Sequence, residues 1–132
     1  MLYREINTVL RNWAKDDNGK CLMIRGPRQV GKTFSAVQLG KEMFDSFIEI
    51  NFLKSPSLKS IFSGDLDTAT LVRNISLSIP GSSFLPGTTL LLLDEIQECP
   101  EAITSLKFWA DDRKYKVIAT GSMLGIDYKR PT

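Results

Sequence analysis

The sequence predicts a three-layer α/β domain, with a parallel sheet between helices. Three observations point there. Apolar segments of strand length alternate along the chain with amphipathic helical ones, the pattern of parallel strands joined by crossover helices. A glycine-bearing loop, Gly26–Thr33, joins the first of these strands to a helix. A later aliphatic run, Leu90–Leu93, leads straight into Asp94 and Glu95. A buried strand delivers carboxylates to the ligand-binding edge of such a sheet in this way.

Each element follows from local pattern. Leu2, Ile6, Val9, Leu10 and Trp13 recur at helical spacing, so residues 2–15 read as an amphipathic helix, ended by the turn chemistry of Asp16-Asp17-Asn18-Gly19. A first strand is expected over about residues 20–25 and a helix from the glycine loop to about 44, with Phe34, Val37, Gln38 and Lys41–Phe44 in a loose helical period. Phe47–Phe52 alternates with period two and reads as a second strand. Ser55-Pro56-Ser57 opens a short helical turn over Leu58–Phe62. Asp65 or Asp67 is placed to cap a helix over about 66–79, with Leu66, Leu71, Val72, Ile75 and Ile79 on one side. Pro80–Ser83 stops that helix, and Pro86-Gly87 makes a second turn. Thr89–Leu93 is the third strand and Val117–Ala119 the fourth. Between them Pro100 opens a helix whose apolar face is Ile103, Leu106 and Trp109 or Ala110. From Gly121 onward no periodicity shows.

Bulk properties narrow the functional classes. A chain of 132 residues with 42% apolar content forms one domain with a real core. A net charge of +2 and a pI of about 8.6, with Lys and Arg scattered, do not indicate nucleic acid. The absence of histidine excludes an imidazole base and a His-bearing metal site. Cys21 and Cys99 lie far apart and read as free thiols. The N-terminus has no signal-peptide pattern, and the leucine run is far too short for a bilayer. The expectation is a cytoplasmic protein without a membrane partner.

The chemistry sits in three segments. Gly26-Pro27-Arg28-Gln29-Val30-Gly31-Lys32-Thr33 fits G-x-x-x-x-G-K-[ST], a phosphate-binding loop. Its glycines let the backbone wrap a polyphosphate, with N–H groups aimed at the oxygens and a helix N-terminus adding its dipole. Lys32 reaches the β- and γ-phosphates, and Thr33 offers its hydroxyl to Mg²⁺. Phe34 completes the residues expected to line the nucleotide. Asp94 suits metal coordination beside this loop, through a metal-bound water, while Glu95 points elsewhere and suits polarising an attacking water. The same two acids also suit a plain loop or a helix N-terminus. In the third segment, if the fourth strand lies between the first and third, Thr120 or Ser122 faces the γ-phosphate. Thr120-Gly121-Ser122 also suits a simple turn.

Taken together, Arg25–Thr33, Leu92–Pro100, Leu106-Lys107 and Gly121–Gly125 resemble, in order and over nearly the whole chain, the AAA-type P-loop ATPase domain of a prokaryotic family that carries a DUF4143 C-terminal domain. By that resemblance Lys32 and Thr33 are the Walker A pair, Asp94 and Glu95 the Walker B pair, and Ser122 the sensor-1 position. The resemblance also implies ATP as the nucleotide and a P-loop NTPase sheet of the AAA type.

The chain departs from that pattern at its end. A fifth strand, a lid, a sensor-2 basic residue and a trans-acting arginine finger would follow, and none is read before Thr132. The expectation is the N-terminal portion of a longer protein, with a downstream domain and an open edge on the first strand. A homo-oligomer joined by a finger-type contact is a possible partner arrangement. Arg113 and Arg130 are finger candidates only as arginines, better suited to a solvated surface, as are Arg28, Gln97 and Glu98. The activity expected is ATP–Mg²⁺ binding and, in the complete protein, hydrolysis, with weak turnover from these residues alone. The alternative is a nucleotide-dependent switch or binding module with little turnover.

Overall fold

A computed structural model describes residues 2–16, 19–26 and 30–122, with the side chains of residues 2–5 and 30–32 set aside. In chain order the elements are α1 (Leu2–Lys15), β1 (Leu22–Gly26), α2 (Val30–Met43), β2 (Ser46–Asn51), a 3-10 helix (Pro56–Phe62), α3 (Thr68–Ser78), β3 (Thr89–Asp94), a 3-10 turn (Ile96–Glu98), α4 (Pro100–Asp112) and β4 (Lys116–Ser122). The strands form one parallel sheet in the order β1-β4-β3-β2. The fourth strand thus lies between the first and third, and the expected parallel α/β class holds.

β3 explains the layering. All six of its residues are buried, and period-two alternation sends its leucines to opposite faces. Leu91 and Leu93 join Ile48, Ile50, Phe52, Val117 and Ala119 against α3 and α4. Leu90 and Leu92 join Ile118, Leu10, Trp13, Ala36 and Leu39 on the face that α1 and α2 cover. A strand buried on both faces needs a continuous aliphatic run, which is why Leu90–Leu93 shows no polar alternation.

Several helix faces differ from the simple period. In α1, Leu10 and Trp13 are buried but Val9 is exposed. In α2 the buried positions are Ser35, Ala36, Leu39 and Gly40, while Phe34, Gln38 and Lys41 are exposed. The reason is close approach. Small residues face the sheet, and a Cβ at Gly40 would run into the Phe47 ring of β2. Gly40→Ala should therefore destabilise the protein by about 1–2 kcal/mol in urea unfolding, because overpacking against a ring costs more than the roughly 1 kcal/mol that helix propensity returns. In α4 the buried face is Ala102, Ser105 and Trp109. Ile103 and Leu106, on the face the sequence predicted, pack against the same core while partly buried, and with Cys21 and Met23 they line an apolar groove of about 600 Å³ beside β1. β1 is an edge strand among the described residues.

Other joints are resolved by chemistry. Asp67, not Asp65, caps α3: its carboxylate accepts from the Thr70 N–H at 3.0 Å, and Thr70 holds that carboxyl below the usual carboxylate range. Lys116 caps the other end of α1, donating to the Trp13 carbonyl at 2.9 Å and to that of Asp16. Both cysteines are free. The Cys21 thiol donates to the Leu106 carbonyl at 3.4 Å, and burial pushes it up to about 12 against the opposing pull of Lys116. Since the thiolate is the reactive form, Cys21 should label with a disulfide reagent at pH 8 more slowly in the folded protein than in urea. Among the described residues no helix is long and apolar enough to cross a membrane.

Candidate functional site

Parallel strands all deliver their carboxyl ends to one edge, so register decides which side chains meet there. β2 pairs with β3 through Asn51↔Asp94, β3 with β4 through Leu93↔Ala119, and β1 with β4 through Gly26↔Ser122. Asn51, Asp94, Thr120 and Ser122 consequently collect at the edge where β1 hands over to the glycine loop. Gly26 leaves the strand with a φ of +154°, a backbone that side chains rarely adopt.

Asp94 is the centre of the cluster and is 2% exposed. Its carboxylate accepts from the Thr33 hydroxyl at 3.1 and 3.2 Å, from the Asn51 amide at 2.9 Å and from the Thr120 hydroxyl. Thr33 stands in the first turn of α2, so one hydrogen bond joins the end of the phosphate loop to the end of β3. Asn51 is fixed at both ends, because its carbonyl accepts the N–H groups of Leu53 and Lys54 at 2.9 Å each. Thr120 also accepts the Glu95 N–H at 3.0 Å, tying β4 to the residue after Asp94. Partial burial and then the charge of Asp94 push the Glu49 carboxyl above its usual range, against the opposing pull of Lys54 and Lys41.

Glu95 lies in the left-handed region, φ +60°, and opens the 3-10 turn Ile96–Glu98. A non-glycine residue in this conformation is uncommon and recurs at functional sites. The sequence placed the Glu95 side chain apart from Asp94 for a separate role, and its hydrogen-bond partner, Gln97, is not shared with Asp94. Glu95 is also buried, and its carboxylate accepts from the Gln97 amide at 2.9 Å.

The positions expected to act are therefore distributed as follows. Thr33 and Asp94 touch, and Glu95 and Ser122 lie on the same edge. Val30, Gly31 and Lys32 run in the first turn of α2. Pro27, Arg28 and Gln29 fall outside the described residues, as do Arg130 and the segment Met123–Gly125. Phe34 is half exposed on α2, which turns its ring out from the packed face of that helix. Of the two hydroxyls on β4, the one bonded to Asp94 is Thr120, while the Ser122 N–H donates to the Gln97 carbonyl at 3.1 Å. Gln97, expected to be solvated, is buried. Arg113 caps the end of α4, before β4 begins, so it stands at the opposite rim from Asp94 and cannot serve this chain's own site as a finger.

Asn51 was not singled out by pattern. The available signal was a lone amide at the carboxyl tip of an alternating strand, where parallel sheets place ligand-facing groups.

The donor set suits one class of metal. A carboxylate and a hydroxyl are hard oxygen ligands, and no group of three His, Cys, Asp or Glu gathers among the described residues. Mg²⁺ takes one or two protein oxygens and fills its remaining positions with phosphates and water.

A parallel α/β sheet with a glycine loop after its first strand, a contact between Thr33 of α2 and Asp94 at the end of β3, and between those two strands an apolar β4 with polar residues at its tip defines a P-loop NTPase-like domain. A family model described as an AAA domain matches residues 18–130, and the chain belongs to that family. Membership carries a nucleotide-binding function of the AAA ATPase type. No curated protein matches the sequence.

Proposed function

We propose that this protein binds ATP with Mg²⁺ and that, with its full complement of partners, it hydrolyses the γ-phosphate bond. The observation that carries the reading is the Thr33–Asp94 hydrogen bond, which joins residues 61 apart in sequence at the one place where a phosphate loop and a metal carboxylate must cooperate. The Gly26–Thr33 backbone and Lys32 bind the phosphates. Thr33 and Asp94 would hold Mg²⁺, which when bound neutralises charge on the phosphate oxygens. Glu95 orients the water and accepts its proton as oxygen attacks phosphorus and the bond to the ADP oxygen breaks. Ser122, beside Gly26, reads the γ-phosphate.

Thermal unfolding tests the binding half. Saturating ATP–Mg²⁺ at about 100 times its Kd should raise Tm by on the order of 10 °C. The rise should shrink with EDTA and for Thr33→Val. No shift at millimolar nucleotide with folded protein would overturn the reading.

A further inference from the structure

We infer that Gln97 is a positioning residue: its amide sets the Glu95 carboxylate for the attacking water and anchors it to the tip of β4. The inference rests on the hydrolytic reading above. Gln97 is the middle residue of the 3-10 turn, and its side chain reaches in two directions. Its NH₂ donates to the Glu95 carboxylate at 2.9 Å, and its carbonyl accepts the Ser122 N–H at 3.1 Å. The three residues are 9%, 7% and 1% exposed, so water competes little for either bond. A backbone N–H only donates and a carboxylate only accepts, so the two partners fix which end of the amide faces which.

The anchor matters because of where it lies. Ser122 pairs with Gly26, the first residue of the phosphate loop. Gln97 therefore ties the carboxylate assigned to water activation to the strand that abuts the phosphates. The turn beneath it is closed by two backbone hydrogen bonds. Its Glu98 N–H donates to the Glu95 carbonyl at 3.1 Å and its Cys99 N–H to the Ile96 carbonyl at 2.9 Å, directly before α4 begins. A long flexible glutamate side chain needs such a restraint, since misplacement of a catalytic group by about 1 Å costs on the order of 10²-fold in rate. Only an amide of this length meets both partners. Glutamate keeps the acceptor for Ser122 but loses the donor to Glu95, and methionine loses both.

The test is single-turnover hydrolysis of γ-labelled ATP, with protein in excess, for Gln97→Met, Gln97→Glu, Glu95→Gln and the Glu95→Gln/Gln97→Met pair. Both Gln97 variants should hydrolyse about 10- to 100-fold more slowly with ATP Kd unchanged. The double variant should be no slower than Glu95→Gln alone, because the two act through one carboxylate. Independently of activity, the Gln97 side-chain amide signal in ¹H–¹⁵N spectra should shift and exchange faster with solvent in Glu95→Ala. Should Gln97→Met fail to fold, Gln97→Glu carries the comparison. A wild-type rate for Gln97→Glu would mean that only the Ser122 bond matters, and would overturn the inference, as would a Gln97 amide signal indifferent to Glu95. A wild-type rate for Glu95→Gln would overturn the role of Glu95, and the inference with it, whereas no hydrolysis by the wild-type protein would sink the hydrolytic reading itself.

Discussion

Glu95→Gln is expected to lower ATP hydrolysis by about 10²- to 10⁴-fold while leaving ATP affinity and Tm close to wild type. The substitution is nearly isosteric, and a glutamine carbonyl at 95 can still accept from Gln97, so the bonds that hold the turn survive. What disappears is a carboxylate able to take a proton from water. Glu95 is well placed for that work. Its left-handed backbone follows directly on β3, and its carboxylate takes a different partner, Gln97, from those of Asp94, as the two separate roles proposed for these acids require. Its N–H, bonded to Thr120, keeps the strain of that conformation in place. Single-turnover hydrolysis and calorimetric ATP titration give the two numbers needed. ATP binding with no wild-type turnover for Glu95→Gln to lose would leave a nucleotide-dependent switch as the better reading, in which ATP orders a surface for a partner.

How much of this was legible beforehand depends on the kind of signal. The glycine loop and the Leu90–Leu93 run were readable because spacing and burial each impose a strict pattern: a phosphate-loop motif fixes offsets, and the middle of a strand covered on both faces favours an unbroken aliphatic run. The Thr33–Asp94 meeting followed from those two segments and the parallel topology. Helix faces were less legible. α2 packs through Ala36 and Gly40, and small residues leave no mark in a hydrophobic period, which instead favoured Phe34 and Val37. The polar second tier was least legible of all. Asn51 and Gln97 act through hydrogen bonds between neighbouring strand tips, as does Thr120, which the sequence offered as a candidate without its tie to Asp94, and register across a sheet is a long-range property that no local window contains. Gln97 in particular reads as a surface amide in sequence, because its burial comes from β4, twenty-five residues further on.

Asp94→Asn should abolish the Mg²⁺ dependence of ATP binding and slow hydrolysis by about 10³-fold, the loss expected when several kcal/mol of charge stabilisation at the phosphates is withdrawn. The argument begins with the donors. Thr33, Thr120 and Asn51 all point hydrogen at one carboxylate, an arrangement that suits an acceptor-only group. An amide at this position replaces one acceptor oxygen with an NH₂ group, so at least one existing donor loses its acceptor in a buried place. That mismatch costs about 1–3 kcal/mol of stability, and urea unfolding should register it before any nucleotide is added. With EDTA present, ATP affinity should match wild type, since Lys32 and the loop backbone are untouched. With Mg²⁺ added, wild type should gain affinity and the variant should not. An Asp94→Asn protein that still binds ATP more tightly on addition of Mg²⁺ would move the metal site elsewhere. The Thr33–Asp94 contact would then be only a strut between α2 and β3.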